Sequence, residues 1–412
     1  MAGLDVLSFG CRLNLYESEV MRGLAQRAGL DDAIIVNTCA VTAEAERQGR
    51  QAIRRAHRER PGAQIIVTGC AAQLHPETFA AMPEVARVLG NGDKLKPENW
   101  ISGERVVVGD VMTLAETASH LLDGFAENTR GFLQMQQGCD HRCTFCIIPL
   151  ARGNNRSVPL GELVAAARHL LAHGHREIVL TGVDLTGYGA DLPGKPRLGQ
   201  ALRRLLALLP DLPRLRLSSL DPAEIDEDLW HLIATEPRLM PHLHFSAQSG
   251  DDLILKRMKR RHLCADIVRA AERARALRSD IVLGADLIAG FPTETEAQFE
   301  RSLDLIETAN LIWLHVFPYS PRPGTPAARM PQVPGSAIKA RAARLRAAGQ
   351  AAAQHFLEAQ IGRRLDILME RGGTGRTAHY APVRPDRPVE AGTLVPVTIT
   401  GLENSILRGE IG

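Results

Sequence analysis

Aromatic residues are scarce in this chain. Phe, Tyr and Trp together make up 4% of its 412 residues, so it offers few surfaces on which nucleic-acid bases could stack. An excess of one charge is also missing: 49 Lys and Arg stand against 47 Asp and Glu, a net charge of +2. A polycationic chain is thereby excluded, and any nucleic-acid surface must be local. No apolar run approaches the roughly 20 residues of a membrane-spanning helix. The start, Met1-Ala-Gly-Leu-Asp5-Val-Leu-Ser-Phe-Gly10, has an acid and no basic n-region, so it does not read as a signal peptide. These absences predict a cytoplasmic protein with no membrane partner. With 45% hydrophobic residues, the chain is long enough for two or three domains and a large core.

Seven cysteines in such a chain argue for metal or catalysis rather than disulfides. Three of them fall within Cys139-Asp-His-Arg-Cys143-Thr-Phe-Cys146, spaced C-x3-C-x2-C. The local set lacks a fourth cysteine. A structural zinc site wants four ligands in a closed tetrahedron, and His141 is too close in sequence to serve comfortably. Three thiolates on a four-iron cube leave one iron open, which is useful only when something else must bind there. A zinc knuckle or a group of free thiols is the other reading of these residues.

Three more cysteines follow strand candidates near the start. Leu4–Phe9 ends at Gly10-Cys11, Ala33–Val36 at Asn37-Thr-Cys39, and Gln64–Val67 at Thr68-Gly-Cys70. Helical segments Glu17–Ala28 and Glu44–Arg58 lie between them, which gives a βαβαβ pattern and a parallel sheet. Ligands of such sheets bind outside the carboxyl ends of the strands. The spacing therefore delivers Cys11, Cys39 and Cys70 to one sheet edge, as a second three-thiolate site or as three core cysteines. Cys264, in a helical stretch, reads as a small buried apolar residue.

A short strand candidate, Arg105–Val108, and a polar linker near Glu127-Asn-Thr-Arg130 follow. Six strand–helix units come next, with strand candidates Phe132–Gln136, Glu177–Leu180, Arg214–Leu217, His242–Phe245, Ile281–Ile288 and Ile312–Phe317. They predict a partial (β/α)6 barrel whose chemistry sits at the C-terminal strand ends, where the Cys139 loop falls. Asp184, Gln248 and Asp286 lie at or near those ends; Asp286 reads equally as a ligand contact or a structural ion pair. Two basic stretches, Lys256–His262 and Lys339–Arg346, read as solvated helix faces or phosphate contacts. Beyond Gln360, alternating segments Arg364–Glu370, Thr377–Val383 and Thr393–Ile399 predict a small β-barrel of the kind that binds RNA, with Tyr380 as its stacking side chain. The fold class is thus α/β, with units at 1–112, 125–355 and 360–412.

The whole resembles the methylthiotransferase family of radical S-adenosylmethionine (SAM) enzymes. The resemblance covers nearly the full chain. It rests on Gly10-Cys-Arg-Leu-Asn-Leu-Tyr-Glu17, Val36-Asn-Thr-Cys-Ala-Val-Thr42, Val67-Thr-Gly-Cys70, Met135-Gln-Gln-Gly-Cys139 through Arg152-Gly153, Gln248-Ser-Gly250 and Gly290-Phe-Pro-Thr-Glu294. Phe245-Ser-Ala247 departs from the family's more apolar, proline-bearing run. The C-terminal piece is similar to a short TRAM domain. The resemblance implies two [4Fe-4S] clusters. Cys139, Cys143 and Cys146 would hold the one that reductively cleaves SAM. Cys11, Cys39 and Cys70 would hold an auxiliary one that carries the sulfur to be inserted. It implies Gln248 as a SAM contact, and the places of Asp286 and Asp184 in the barrel make them candidates for the same role. The partners implied are a tRNA anticodon stem-loop, an electron donor such as a flavodoxin or ferredoxin, and a sulfur donor.

Cys11-Arg-Leu-Asn-Leu-Tyr-Glu17 and Asn37-Thr-Cys-Ala-Val-Thr-Ala-Glu-Ala-Glu-Arg47 look like the branch that inserts a methylthio group at C2 of N6-threonylcarbamoyladenosine, at tRNA position 37. That substituent carries a carboxylate, so its site should offer a cation, with Arg12, Arg47, Arg152 and Arg156 as candidates. An isopentenyladenosine tRNA, a ribosomal protein, or a non-catalytic metal-organised RNA-binding role are the competing expectations.

Overall fold

The computed structural model describes residues 3–117 and 129–412. Glu127 and Asn128 of the expected linker, and the expected boundary at residue 125, lie outside the described residues.

The first unit is a five-stranded parallel sheet whose spatial order follows the sequence. Its strands are β1 (Leu4–Ser8), β2 (Ala33–Thr38), β3 (Gln64–Gly69), β4 (Arg87–Leu89) and β5 (Val106–Val107). Residues of β2 are buried without alternation, as befits a parallel strand covered on both faces. Between β1 and β2 runs α1 (Arg12–Arg27), which turns Leu13, Tyr16, Val20 and Leu24 inward at helical spacing. Those residues share one apolar core with Phe132, Leu133 and Leu163 of the next unit. The first sheet is therefore packed onto its neighbour rather than tethered to it. The short strand β4 carried no periodicity that sequence reading could use.

The second unit contains β6 (Gly131–Gln134), β7 (Glu177–Thr181), β8 (Arg214–Leu217), β9 (Ser219–Leu220), β10 (His242–Gln248), β11 (Val282–Ala289) and β12 (Leu311–Pro318). They form sheets β8-β7-β6 and β9-β10-β11-β12, all parallel. Only Ser218 separates β8 from β9, so the two are successive halves of one strand position. The result is the expected six-position partial barrel. Leu243, Phe245, Leu283, Ala285 and Leu287 join the apolar core with the surrounding helices. Alternation then leaves His242, His244 and Asp286 on the opposite, inner face.

The last unit is a closed five-stranded barrel of β13 (Arg364–Met369), β14 (Gly375–Thr377), β15 (Pro382–Pro385), β16 (Leu394–Glu403) and β17 (Ile406–Glu410). Its interior holds Ile367, Met369, Val383, Val397, Ile399 and Leu407. Thr377–Val383, expected as one strand, spans the end of β14, a turn over residues 378–381 and the start of β15. The final strand β17, not foreseen, pairs with both β15 and β16 and closes the barrel.

The loop after β6 is held by a close backbone approach. Gly138 has φ +70°, and a Cβ there would stand 1.9 Å from the Asn154 carbonyl oxygen. Gly138→Ala should therefore destabilise the chain by at least about 2 kcal/mol. An unchanged urea midpoint would contradict this account of the loop.

Candidate functional site

The three N-terminal cysteines meet at the carboxyl edge of the first sheet. Cys11 caps the start of α1, Cys39 directly follows β2, and Cys70 opens a short helix directly after β3. Gly10, at φ +94°, makes this convergence possible: a Cβ on it would lie 2.7 Å from Cys39 Sγ. Cys39 and Cys70 are buried and Cys11 is exposed. Burial, reinforced by the neighbouring Cys70, pushes the Cys39 thiol up to about 12. Loading with metal must displace such protons.

Beside this set lies a buried ionic network that joins the first two units. Arg152, 2% exposed, donates from Nε to Cys70 Sγ at 3.2 Å. Its Nη1 reaches Glu17 Oε1 and Gln137 Oε1, each at 2.8 Å, and its Nη2 reaches Glu17 Oε2 at 2.9 Å and Asn14 Oδ1 at 2.5 Å. Lys94 Nζ donates to Glu17 Oε2 at 2.7 Å and Asn91 Oδ1 at 2.8 Å. Burial alone would raise the Glu17 carboxyl, but the charges of Arg152 and Lys94 overcome it and bring it down to about 2.

The second set sits at the C-terminal end of the barrel. The basic stretch Lys256–His262 is divided: Lys256, Lys259 and Arg261 are exposed to solvent, while Arg257 and Arg260 brace this loop. Thr144 Oγ1 donates to the Arg257 carbonyl at 2.7 Å, and Arg260 donates to Cys143 Sγ at 3.4 Å and to Asp221 at 2.8 Å. Arg261 pairs with Glu224 and His262 with Asp221. Burial pushes the Cys146 thiol up to about 12. His141 pairs with Asp184 and Glu224, both at 3.3 Å, and those hydrogen bonds raise it to about 10. In the second basic stretch Lys339 and Arg346 are exposed, while Arg341 pairs with Glu294 and Glu296 and Arg344 with Glu296 and Glu300.

A cleft of about 180 Å³ lies between the two sets, lined by Val41, Thr42, Phe145, Gln248, Asp286 and Tyr319 among others. Val41 and Thr42 come just after Cys39, and Phe145 just before Cys146, so both cysteine loops border one space. Gln248, at φ +69°, ends β10 on its wall. Asp286 Oδ1 accepts from His244 Nε2 at 2.9 Å and His315 Nδ1 at 3.1 Å. Burial opposes ionisation of Asp286, but those hydrogen bonds outweigh it and hold its carboxyl below the usual range.

The structure thus brings Gln248 and Asp286 together but places Asp184 elsewhere. Asp184 is not among the residues lining the cleft; it stands 3.9 Å from Cys139 Sγ and anchors His141. Among the candidate cations, Arg152 is committed to Glu17 and Arg47 to Glu44 on an exposed helix turn. Arg156 donates to the carbonyls of Asn154 and Arg152. Arg12 has no hydrogen bond or ion pair among the described residues, and its guanidinium lies over the Tyr380 ring. Cys264, at a helix start, is half-buried and packs against the apolar core. Sequence reading missed Lys94, His244 and His315. It also missed the role of Glu17, although a charge inside the apolar stripe of α1 was a readable signal.

Comparison with known proteins accords with this arrangement. A family model described as the Radical SAM superfamily matches residues 133–306, and one described as uncharacterized protein family UPF0004 matches residues 4–90. Threonylcarbamoyladenosine tRNA methylthiotransferase MtaB of Rickettsia prowazekii is 48% identical over 98% of this chain and 96% of that protein. The chain belongs to the methylthiotransferase family of radical SAM enzymes. Within that family, MtaB of Thermotoga maritima is 36% identical over 90% of this chain and 87% of that protein. A tRNA-2-methylthio-N(6)-dimethylallyladenosine synthase of Cereibacter sphaeroides is 37% identical over 99% of this chain and 98% of that protein. Among solved structures, the radical SAM methyltransferase TsrM of Kitasatospora setae shares the fold, with a TM-score of 0.56 at 16% identity over 80% of this chain and 77% of that one.

Glu17→Gln leaves Arg152 and Lys94 buried without a counter-charge, and should cost about 3–5 kcal/mol. The Glu17 carboxyl is depressed from 4.5 to about 2, so its contribution, roughly 3 kcal/mol, is full above about pH 4.5 and fades as pH falls toward 2. Urea unfolding of the metal-free chain at pH 7 and pH 3 tests both points. Equal midpoints for the variant and the parent at pH 7 would refute the network's role.

Proposed function

We propose that this chain inserts a methylthio group at C2 of N6-threonylcarbamoyladenosine at position 37 of tRNA. The coarser assignment, a radical SAM methylthiotransferase acting on tRNA, follows from its family. The observation that carries the chemistry is the pair of three-thiolate sets bordering one cleft. Each set suits a [4Fe-4S] cube with one iron left for another ligand. Cys139, Cys143 and Cys146 would hold the cluster that reduces SAM, and Cys11, Cys39 and Cys70 would hold the auxiliary one. When bound, the two clusters supply the electron that cleaves SAM and the sulfur that is methylated and inserted. C2 of adenine has no leaving group and no acidic proton, so acid–base chemistry alone does not reach it.

The protein's own residues position and enclose. Gln248 and Asp286 offer polar contacts to SAM from the barrel ends, and His244 and His315 keep Asp286 ionised and oriented. Asp184 acts through His141, bracing the loop that carries Cys139. Arg152 donates to Cys70 and fixes the auxiliary set against the barrel. The working units are 1–112, 125–355 and 360–412, and the protein is cytoplasmic. An electron donor of flavodoxin or ferredoxin type and a sulfur donor complete the system.

The choice of the threonylcarbamoyl substrate is supported by the names of the relatives at 48% and 36% identity, and by Arg12 as an uncommitted cation one residue from Cys11. Relatives named for the dimethylallyl substrate make the second reading specific. Nucleoside mass spectrometry of tRNA from cells with and without the gene distinguishes them. The expected result is loss of the 2-methylthio-threonylcarbamoyl nucleoside; loss of the dimethylallyl product instead overturns the substrate assignment.

Anaerobically reconstituted protein should contain about eight irons per chain with matching sulfide. Replacing Cys139, Cys143 and Cys146 with Ala should halve the iron and abolish 5′-deoxyadenosine formation. The equivalent change of Cys11, Cys39 and Cys70 should halve the iron, keep 5′-deoxyadenosine detectable and abolish methylthio product. A stable zinc content without labile sulfide would contradict both cluster assignments.

A further inference from the structure

The inner face of the barrel carries a surplus of positive charge that the cluster and SAM contacts do not use. Tyr380 lies in the turn between β14 and β15, and its ring stacks on His242, the first residue of β10, with centroids 5.6 Å apart and planes at 23°. Four guanidinium groups surround that ring: Arg376 at 5.0 Å, Arg130 at 5.1 Å, Arg216 at 5.2 Å and Arg12 at 5.7 Å from its centroid. A fifth cation, Arg214, lies 3.8 Å from Glu177. Two carboxylates form ion pairs with them, and Asp366 attracts Arg214 from the β-barrel side. Glu177 holds Arg216 at 2.8 Å, and Glu370 holds Arg130 at 2.9 Å and Arg376 at 3.3 Å. Arg12 is left without an ion pair among the described residues.

The polar atoms here are also unsatisfied. Arg216 is fully buried, yet its Nη1 has no hydrogen-bond partner; His242 is 3% exposed, and neither of its ring nitrogens has one. Buried donors left unpaired are costly, and a buried cation more so. Burial and the charge of Arg216 keep His242 neutral, so it presents one N–H. For Tyr380, burial would raise the hydroxyl, but Arg130 and Arg12 outweigh it and bring it down to about 8. The whole environment favours an anion.

A row of inner-face side chains joins this cage to the cleft. From His242 the inner face runs to His244, 6.4 Å away between ring centroids, then to His315 at 4.5 Å and to Asp286, which lines the cleft. Arg12 is the residue after Cys11, so the same segment serves the auxiliary set and the cage.

We infer that Arg12, Arg216 and His242, closed by the ring of Tyr380, form a carboxylate-binding site that reads the N6 substituent of the substrate nucleoside. The inference rests on the threonylcarbamoyl reading above. Two guanidiniums and a neutral imidazole N–H match a carboxylate's lone pairs, and the phenol ring seals the site from the β-barrel side. A wholly apolar substituent leaves those donors unpaired and is rejected. Tyr380 is thus a wall of the substrate site, not the exposed RNA-stacking residue that the sequence suggested.

The test uses the full-length, cluster-loaded enzyme and three anticodon stem-loops. They carry threonylcarbamoyladenosine, its carboxamide analogue and isopentenyladenosine. Fluorescence anisotropy reads binding, and methylthiolation reads KM and kcat. The parent enzyme should favour the carboxylate RNA over its carboxamide by at least about tenfold in Kd, and over the isopentenyl RNA by at least about 100-fold in kcat/KM. Arg12→Gln should remove most of the carboxylate preference, chiefly through KM, and Arg12→Lys should restore part of it. Iron content and the urea midpoint report that each variant is folded. If Arg12→Gln weakens all three RNAs equally, the arginine contacts backbone phosphate and the inference falls. If it leaves the carboxylate preference intact, or if the parent does not distinguish acid from carboxamide, the inference falls while the substrate assignment stands. If the parent acts on the isopentenyl RNA and not on the threonylcarbamoyl RNA, both fall.

Discussion

Glu17 sits without solvent contact between two cations from different parts of the chain, Lys94 of its own unit and Arg152 of the barrel. Three charges removed from water must be satisfied together or the site collapses, and Asn14, Asn91 and Gln137 supply the remaining partners. Buried ion pairs contribute little net stability compared with well-packed apolar side chains, but they are intolerant of displacement. That intolerance fixes how the first sheet docks on the barrel. Because Arg152 also touches Cys70, the docking fixes where the auxiliary thiolates stand relative to the Cys139 loop.

The cysteine loops themselves are shaped by backbone rather than by side chains. Gly10 and Gly138 adopt conformations that bring loops closer than any Cβ allows. The basic run after β10 then clamps the second loop through Thr144 and Cys143. What results is a cleft with one cysteine loop on each side and polar groups from barrel strand ends on its wall.

The last unit packs directly against the six-position barrel. Its β-barrel packs Tyr380 against His242, and Trp313 Nε1 donates to the His379 carbonyl at 3.0 Å across the same junction. Residues of all three units, Arg12, Arg216 and Tyr380, thereby meet around one ring.

Much of this was legible along the chain. Strand-then-cysteine spacing located both thiolate sets, because a parallel sheet presents its strand ends on one edge. Alternating strand and helix periods gave the six-position barrel, and turn residues marked the closing β domain. Short strands such as β4 and β17 escaped, since two to five residues carry too little periodicity to stand out from loops. Pairings of charged side chains escaped for a different reason. Arg12, Arg47, Arg152 and Arg156 are alike as letters, yet one pairs within its own helix turn, one is buried against Glu17, one serves backbone carbonyls, and one remains uncommitted. The sequence by itself determined which chemistry this protein carries, because thiolate number and spacing are properties of the chain. Only the tertiary structure decided which cations are available to a substrate, because a charge is spent or free according to what long-range packing places within hydrogen-bonding distance of it.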